Sequence, residues 1–195
     1  MPLFLFTRHG ETTLNAEQRV NGDPAVPVPL TEVGREESRR LGEQVAHVPI
    51  ELCIHTRFGR TLETAQIALE GRAVEMMVEP LFDDIDIGHL EGEPIDEYRA
   101  WKRAHKRSDP FPGGESLDDA GRRYAQAFRN LLDRPAADVV LVVCHEIPVR
   151  YAVNAAAGSD ELDTPTHQIR NATPYLFDET AVEQAAERID RLVGG

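Results

Sequence analysis

The chain's patterning predicts an α/β fold, a three-layer α/β/α sandwich with a largely parallel central sheet, formed as a single domain over residues 1–195. Two observations carry that prediction. Short apolar runs of strand length alternate with longer amphipathic stretches of helix length, and strands joined through helices need crossover connections, which favour parallel pairing with cover on both faces. The strand-length runs are also nearly continuous in apolar residues, as strands buried on both sides must be. With 195 residues, 41% hydrophobic and 28% charged, the chain can bury one real core and is neither disordered nor fibrous.

The first run, residues 3–6, reads as a buried strand that stops at Thr7-Arg8-His9-Gly10, delivering polar side chains where α/β proteins keep their chemistry. From Thr31, an N-cap candidate, the apolar positions Val33, Leu41, Val45 and Val48 recur among charges. They predict a helix to about residue 47, closed by Pro49. Residues 51–55 follow as a strand, 60–69 as a helix, 74–78 as a third strand and 98–106 as a helix. Ser116, with Asp119 three residues on, opens a helix to about residue 132, and residues 138–144 form the clearest strand. The tail, 179–193, carries Val182, Ala185, Ala186, Ile189, Leu192 and Val193 on one helical face. Docking of that face on its own domain is the expectation, with a homodimer as the alternative. Two Pro/Gly-rich loops, 22–29 and 109–114, are long enough to border a site.

Lys and Arg number 21 against 34 Asp and Glu, a net charge of −13. A field of that sign repels nucleic acid and anionic lipid, so no nucleic-acid or membrane partner is expected and an anionic ligand must be captured locally. Cys53 and Cys144 are too few for a disulfide scaffold, and Cys144 ends an apolar run, which suits a reducing compartment. The longest purely apolar stretch, 139–144, is far too short to span a bilayer, and the first residues lack the pattern of a signal peptide. The expectation is a cytoplasmic protein.

Chemistry concentrates in Arg8-His9-Gly10-Glu11-Thr12, with Asn15 behind it. Histidine is nucleophilic at neutral pH, arginine matches phosphate oxygens bidentately, and glycine lets backbone amides approach an anion. A strand end carrying all three is a phosphoryl site in outline. This R-H-G-E-T string resembles the signature of the histidine phosphatase superfamily, the phosphoglycerate mutase-like enzymes. Four further segments match in order: Pro29-Leu30-Thr31-Glu32-Val33-Gly34; Phe58-Gly59-Arg60 with Thr64-Ala65; Pro112-Gly113-Gly114-Glu115-Ser116; and Val142-Val143-Cys144-His145.

The resemblance implies a phosphohistidine at His9, a clamp of Arg8 and Arg60, His145 as the second catalytic histidine, and Asp84 as proton donor where many members have glutamate. Asp83 and Asp86 compete for that last role. Glu11, Thr12, Asn15 and Glu146 are the substrate-binding candidates. The chain departs from the family in having Arg57 for a common proline, Leu90 for a common tryptophan, and Glu146 for the glycine that usually follows the second histidine.

The residues explain one another without the family. Phosphoryl transfer needs an in-line nucleophile, positive charge on the equatorial oxygens and a proton for the leaving oxygen. His9, then Arg8, Arg60 and a protonated His145, then Asp84 supply them. No cofactor and no metal is therefore expected, although Asp84-x-Asp86, or His9 with Glu11 and His145, has spacing that a metal site can have. His145-Glu146 is not a zincin motif, because position 149 is valine.

The resulting function is a metal-independent phosphomonoesterase acting on a small phosphorylated metabolite. A phosphoglycerate-type mutase is the nearest alternative, disfavoured by the compact length, and a phosphate-binding protein with a degenerate site is the alternative from another class. The basic run Arg99, Lys102, Arg103, Lys106 and Arg107, with His105, reads either as a solvated helix face or as a rim that attracts further anionic groups of a substrate. His47 and His167 read as surface residues. His55 and His89, beside the matched segments, are open.

Overall fold

Five strands in the order β3-β2-β4-β1-β5 form the central sheet of the computed structural model, which describes residues 2–133, 137–166 and 168–194. β1 (Leu3–Arg8) and β4 (Val139–Cys144) run parallel at its centre, with β2 (Leu52–His55) beside β4 and β3 (Glu75–Val78) at one edge. β5 (Tyr175–Asp178) pairs antiparallel with β1 at the other edge. The four predicted strands are present within a few residues of their expected ends. β5 has no counterpart in the sequence reading, because YLFD is too short and half exposed to stand out as a buried run.

Successive side chains in the central strands point to opposite faces, and both faces are covered. Leu5, Cys53, Leu141 and Val143 pack under Leu41 of α2 (Glu32–Gln44), Val45 just past its end, and Ala65 and Ala68 of α3 (Gly59–Ala68). Phe4, Phe6, Ile54, Val140 and Val142 meet the larger cluster beneath α5 (Leu117–Leu132), α6 (Glu146–Ala156) and α7 (Glu179–Gly194). This layering is why the strands read as continuous apolar runs. At its centre Phe6 stacks on Phe128 at 5.3 Å and meets Phe82 edge-on at 5.7 Å.

Capping sets the helix starts. Thr31 accepts the Gly34 amide at the head of α2, and Ser116 with Asp119 closes a reciprocal capping box at α5. A four-residue α1 (Thr13–Ala16) follows the first strand, and α4 (Ile95–Ala104) begins and ends earlier than the predicted 98–106. α7 spends its apolar face on its own domain: Val182, Ala185, Ala186 and Ile189 are buried in the larger cluster. Among the described residues, no helix is long and apolar enough to cross a membrane.

Gly10 and Gly34 lie where two of the matched segments touch. A Cβ on Gly34 would stand 2.1 Å from the Glu11 carbonyl oxygen, and one on Gly10 would stand 2.5 Å from that of Gly34. Side chains at either place would push α2 off the end of β1, so the two glycines set how closely that helix approaches the site.

Candidate active site

The carboxyl ends of β1 and β4, neighbours in the sheet, place His9 and His145 side by side, with ring centroids 5.4 Å apart. α3 begins beside them and contributes Arg60 from its first turn. A cavity of about 750 Å³ opens over His9 and Arg60. Arg8, His9, Thr12, Asn15, Arg60 and Asp84 line its floor and walls, and α4 forms the rim.

Hydrogen bonding fixes the state of His9. Its Nδ1 lies 2.7 Å from the Gly10 carbonyl oxygen, which can only accept, so the proton is on Nδ1 and Nε2 carries a lone pair. That lone pair accepts from Nε of Arg60 at 3.0 Å, beside the cavity that both residues line. Burial, reinforced by the charges of Arg60 and Arg8, pushes the His9 pKa well below the ordinary 6.5. The imidazole is therefore neutral at neutral pH, with Nε2 unprotonated and held by Arg60. Thr64 holds the Gly10 amide at 2.9 Å and the Asn171 amide group donates to the His9 carbonyl at 2.8 Å, so the backbone carrying the ring is braced from both sides.

Arg60 is the hub. Its NH1 donates to Oδ1 of Asn21, its NH2 to the Asn21 carbonyl at 3.2 Å and to Asp84 Oδ2 at 3.0 Å, and the same nitrogen lies 3.3 Å from Nδ1 of His145. His145 is fully buried, with Nε2 3.0 Å from the Thr56 hydroxyl. The expected imidazolium is not what this environment favours. Burial, then Arg60, His9, Arg123 and Arg8, all push its pKa well below 6.5, and the ring is neutral where it stands.

The three competing carboxylates separate clearly. Asp84 lies in the cavity, where burial raises its pKa against the opposing pull of Arg60. Asp83 is turned away and accepts the Arg57 amide at 2.9 Å and Arg57 Nε at 2.5 Å. That pairing also gives Arg57, the residue in place of the common proline, its function in the fold. Asp86 is exposed and accepts the Gly88 amide at 2.9 Å. Only Asp84 touches Arg60 and His145.

Of the four substrate-binding candidates, Thr12, Asn15 and Glu146 line the cavity and Glu11 does not. Glu11 is a brace between segments: its carboxylate accepts from the Thr31 hydroxyl at 2.7 Å and its carbonyl from the Thr31 amide. Thr12 and Asn15 cap one another at the start of α1. Glu146 binds Arg8 NH1 at 2.9 Å and Arg150 NH2.

His55 is structural, buried with Nδ1 tied to the Thr56 carbonyl at 2.8 Å. His47 and His89 are exposed, and His167 lies outside the described residues. Among the described residues, no group of three or more His, Cys, Asp or Glu is arranged to hold a metal ion.

Several residues went unread in the sequence. Asn21, Thr56 and Asn171 come from loops and belong to none of the matched segments. Arg123, on α5, donates to the carbonyls of Leu81, Asp83 and Asp84 and to Glu115, clamping the loop that presents Asp84. A lone arginine on an amphipathic helix carries no sequence signal of that task.

Fold and site together define the class. The chain belongs to the histidine phosphatase superfamily (branch 1), whose family model matches residues 4–190. Among curated proteins it is 32% identical over 196 residues to "Probable phosphoglycerate mutase GpmB" of Yersinia pestis, covering 92% of this chain and 90% of that one. Among solved structures it is similar to Bacillus stearothermophilus YhfR, at 28% identity and a TM-score of 0.79 with 91% of each chain covered. It also shares its fold with the alpha-ribazole phosphatase of Shigella flexneri, at 20% identity and a TM-score of 0.79 over 90% of each chain.

Proposed function

We propose that the protein is a phosphomonoesterase that hydrolyses a small phosphorylated substrate through a phosphohistidine at His9. The observation that carries this reading is the tautomer of His9, with the proton held on Nδ1 by the Gly10 carbonyl and an unprotonated Nε2 that only Arg60 holds, at the wall of a cavity that Arg8 and Arg60 also line, so that substrate oxygens drawing off the guanidinium free the lone pair. A neutral, buried, oriented imidazole is prepared for attack without first losing a proton.

In the first half-reaction Nε2 of His9 forms a bond to phosphorus, and the bond from phosphorus to the substrate oxygen breaks. Asp84, whose pKa burial raises against the pull of Arg60, gives a proton to the departing oxygen. Arg8 and Arg60 hold the equatorial oxygens. In the second half-reaction water loses a proton to the Asp84 carboxylate and attacks phosphorus, releasing phosphate and the free imidazole. His145, fully buried, acts through its neighbours, its Nδ1 lying 3.3 Å from Arg60 NH2 and 3.4 Å from Asp84 Oδ2. The two guanidiniums carry the charge that a metal ion carries in other phosphotransfer enzymes, so the proposal needs no metal.

A mutase uses the same groups and differs in keeping the phosphoenzyme from water. Compact length does not separate the two readings, since the Yersinia relative whose name says mutase matches over 90% of its own length. Incubation with a 32P-labelled phosphomonoester and rapid quenching tests the proposal. An acid-labile, base-stable phosphoryl label with phosphate release is expected, and its loss in His9→Ala. Labelling that persists in that variant overturns the assignment, phosphoglycerate interconversion without net phosphate release identifies a mutase, and no turnover between pH 5 and 8 leaves a binding protein.

A further inference from the structure

The asparagine that holds Arg60 is itself held, by a carboxylate that does not line the active-site cavity. Glu91 ends the 3-10 turn Gly88–Leu90. Its Oε1 accepts from the side-chain amide of Asn21 at 2.6 Å, and its Oε2 accepts the backbone amides of Gly22 at 2.7 Å and Asp23 at 3.0 Å. The Asn21 amide also donates to the Asp23 carbonyl at 3.2 Å. Both protons of Nδ2 are thereby engaged, and Oδ1 faces the other way, onto NH1 of Arg60. The Asn21 carbonyl takes NH2 of the same guanidinium at 3.2 Å.

Glu91 is not what brings the two segments together. Backbone bonds do that: Val20 donates to the Glu93 carbonyl at 3.0 Å, Gly92 to that of Val20 at 2.9 Å and Ile95 to that of Gln18 at 2.8 Å. Arg19 adds a bond from NH1 to the Gly92 carbonyl at 2.6 Å. What the carboxylate adds is polarity, an acceptor at each of its two ends. Glutamine has the same shape and only one acceptor. Whichever way it turned, its NH2 would oppose either Nδ2 of Asn21 or the amides of Gly22 and Asp23. The first arrangement favours a flipped Asn21, with NH2 against the Arg60 guanidinium, and the second releases the turn that carries Asn21. Charge acts in the same direction, since burial disfavours the Arg60 guanidinium and the carboxylates of Asp84 and Glu91 oppose that effect.

We infer that Glu91 is a positioning residue for phosphate binding, which fixes the orientation of Arg60 through Asn21. The inference deepens the phosphomonoesterase reading and rests on its assignment of Arg60 as a phosphate clamp. Arg60 needs such a brace because one planar group meets Asn21, His9, Asp84 and His145 at once. A rotation that improves one of these contacts loses another.

A double-mutant cycle tests the role, pairing Glu91→Gln with Arg60→Ala. It is read as kcat/KM for p-nitrophenyl phosphate and, by calorimetry, as Kd for inorganic phosphate. Glu91→Gln alone is expected to weaken each by about tenfold, the worth of a charged hydrogen bond. Its Tm should stay close to that of the wild type, because the backbone pairing persists. In the Arg60→Ala background the same substitution should change either quantity by no more than about twofold, since no guanidinium remains to be misplaced. Asn21→Ala should show the same dependence on Arg60, and takes the place of Glu91→Gln in the cycle if that variant does not fold.

Losses that multiply in the double variant overturn the inference, because a Glu91 that merely supports the fold harms the site with or without Arg60. Wild-type values in Glu91→Gln overturn it too. A wild type that binds phosphate without turning over p-nitrophenyl phosphate removes the phosphatase reading instead, and the cycle on Kd still decides the role of Glu91. A wild type that binds no phosphate overturns both.

Discussion

At the scale of single residues, the site works by setting two titratable groups in opposite directions. Burial among guanidiniums keeps His9 neutral, while burial outweighs Arg60 at Asp84 and raises the pKa of that carboxyl. A neutral imidazole and a carboxyl of raised pKa then share one cavity, the pairing that the proposed nucleophile and acid need. Asp84→Asn should therefore lower kcat/KM for alkyl phosphates by about 10²-fold or more, the range of general acid catalysis, and affect p-nitrophenyl phosphate far less, because nitrophenolate leaves without a proton. Steady-state kinetics on both substrates checks this. Equal losses would mean that Asp84 acts through Arg60, which it holds at 3.0 Å, and not as the acid.

At the scale of elements, α5 is tied to chemistry it never touches. Its Arg123 binds three carbonyls of the segment that presents Asp84, so the start of α5 governs how well that segment is held. The Ser116 hydroxyl, buried at that start, accepts the Asp119 amide at 3.0 Å and donates to the Asp119 carboxylate at 2.6 Å. Ser116→Ala should cost about 1 kcal/mol of stability, the worth of an N-cap. In a chain of this length that is roughly 2–4 °C in Tm, readable by thermal unfolding. An unchanged Tm would mean that packing of the α5 apolar face alone sets where the helix begins.

At the scale of the whole molecule, the two buried histidines make folding compete with protonation. An unfolded chain binds protons at both rings near pH 6.5, and the native state, with both pKa values well below that, does not. The unfolded state thus holds more protons on the acid side, and this part of the stability is fully present above about pH 6.5 and is lost as pH falls toward the native pKa values. Thermal melts at pH 7.5 and pH 5 should show a smaller fall in Tm for a His9→Gln/His145→Gln variant than for the wild type. An equal fall in both would assign the acid sensitivity to carboxylates elsewhere.

What the sequence determined by itself is whatever depends on local order and chain direction. Apolar runs mark the four parallel strands, Thr31 and Ser116 mark helix starts, and Arg8-His9-Gly10 at a strand end marks the proposed chemistry. His145 was legible for the same reason, because it ends the clearest strand. Tertiary structure decided what depends on distance across the fold. It chose Asp84 from three adjacent carboxylates by turning Asp83 onto Arg57 and Asp86 onto Gly88, and it drew Glu11 away to Thr31. It left His145 neutral, through a desolvation no local pattern encodes. It also brought Lys102 and Arg150, 48 positions apart in the chain, to one wall of the cavity. A sequence lists charges in one dimension, whereas burial and Coulomb interactions, which set their protonation and partners, act through space.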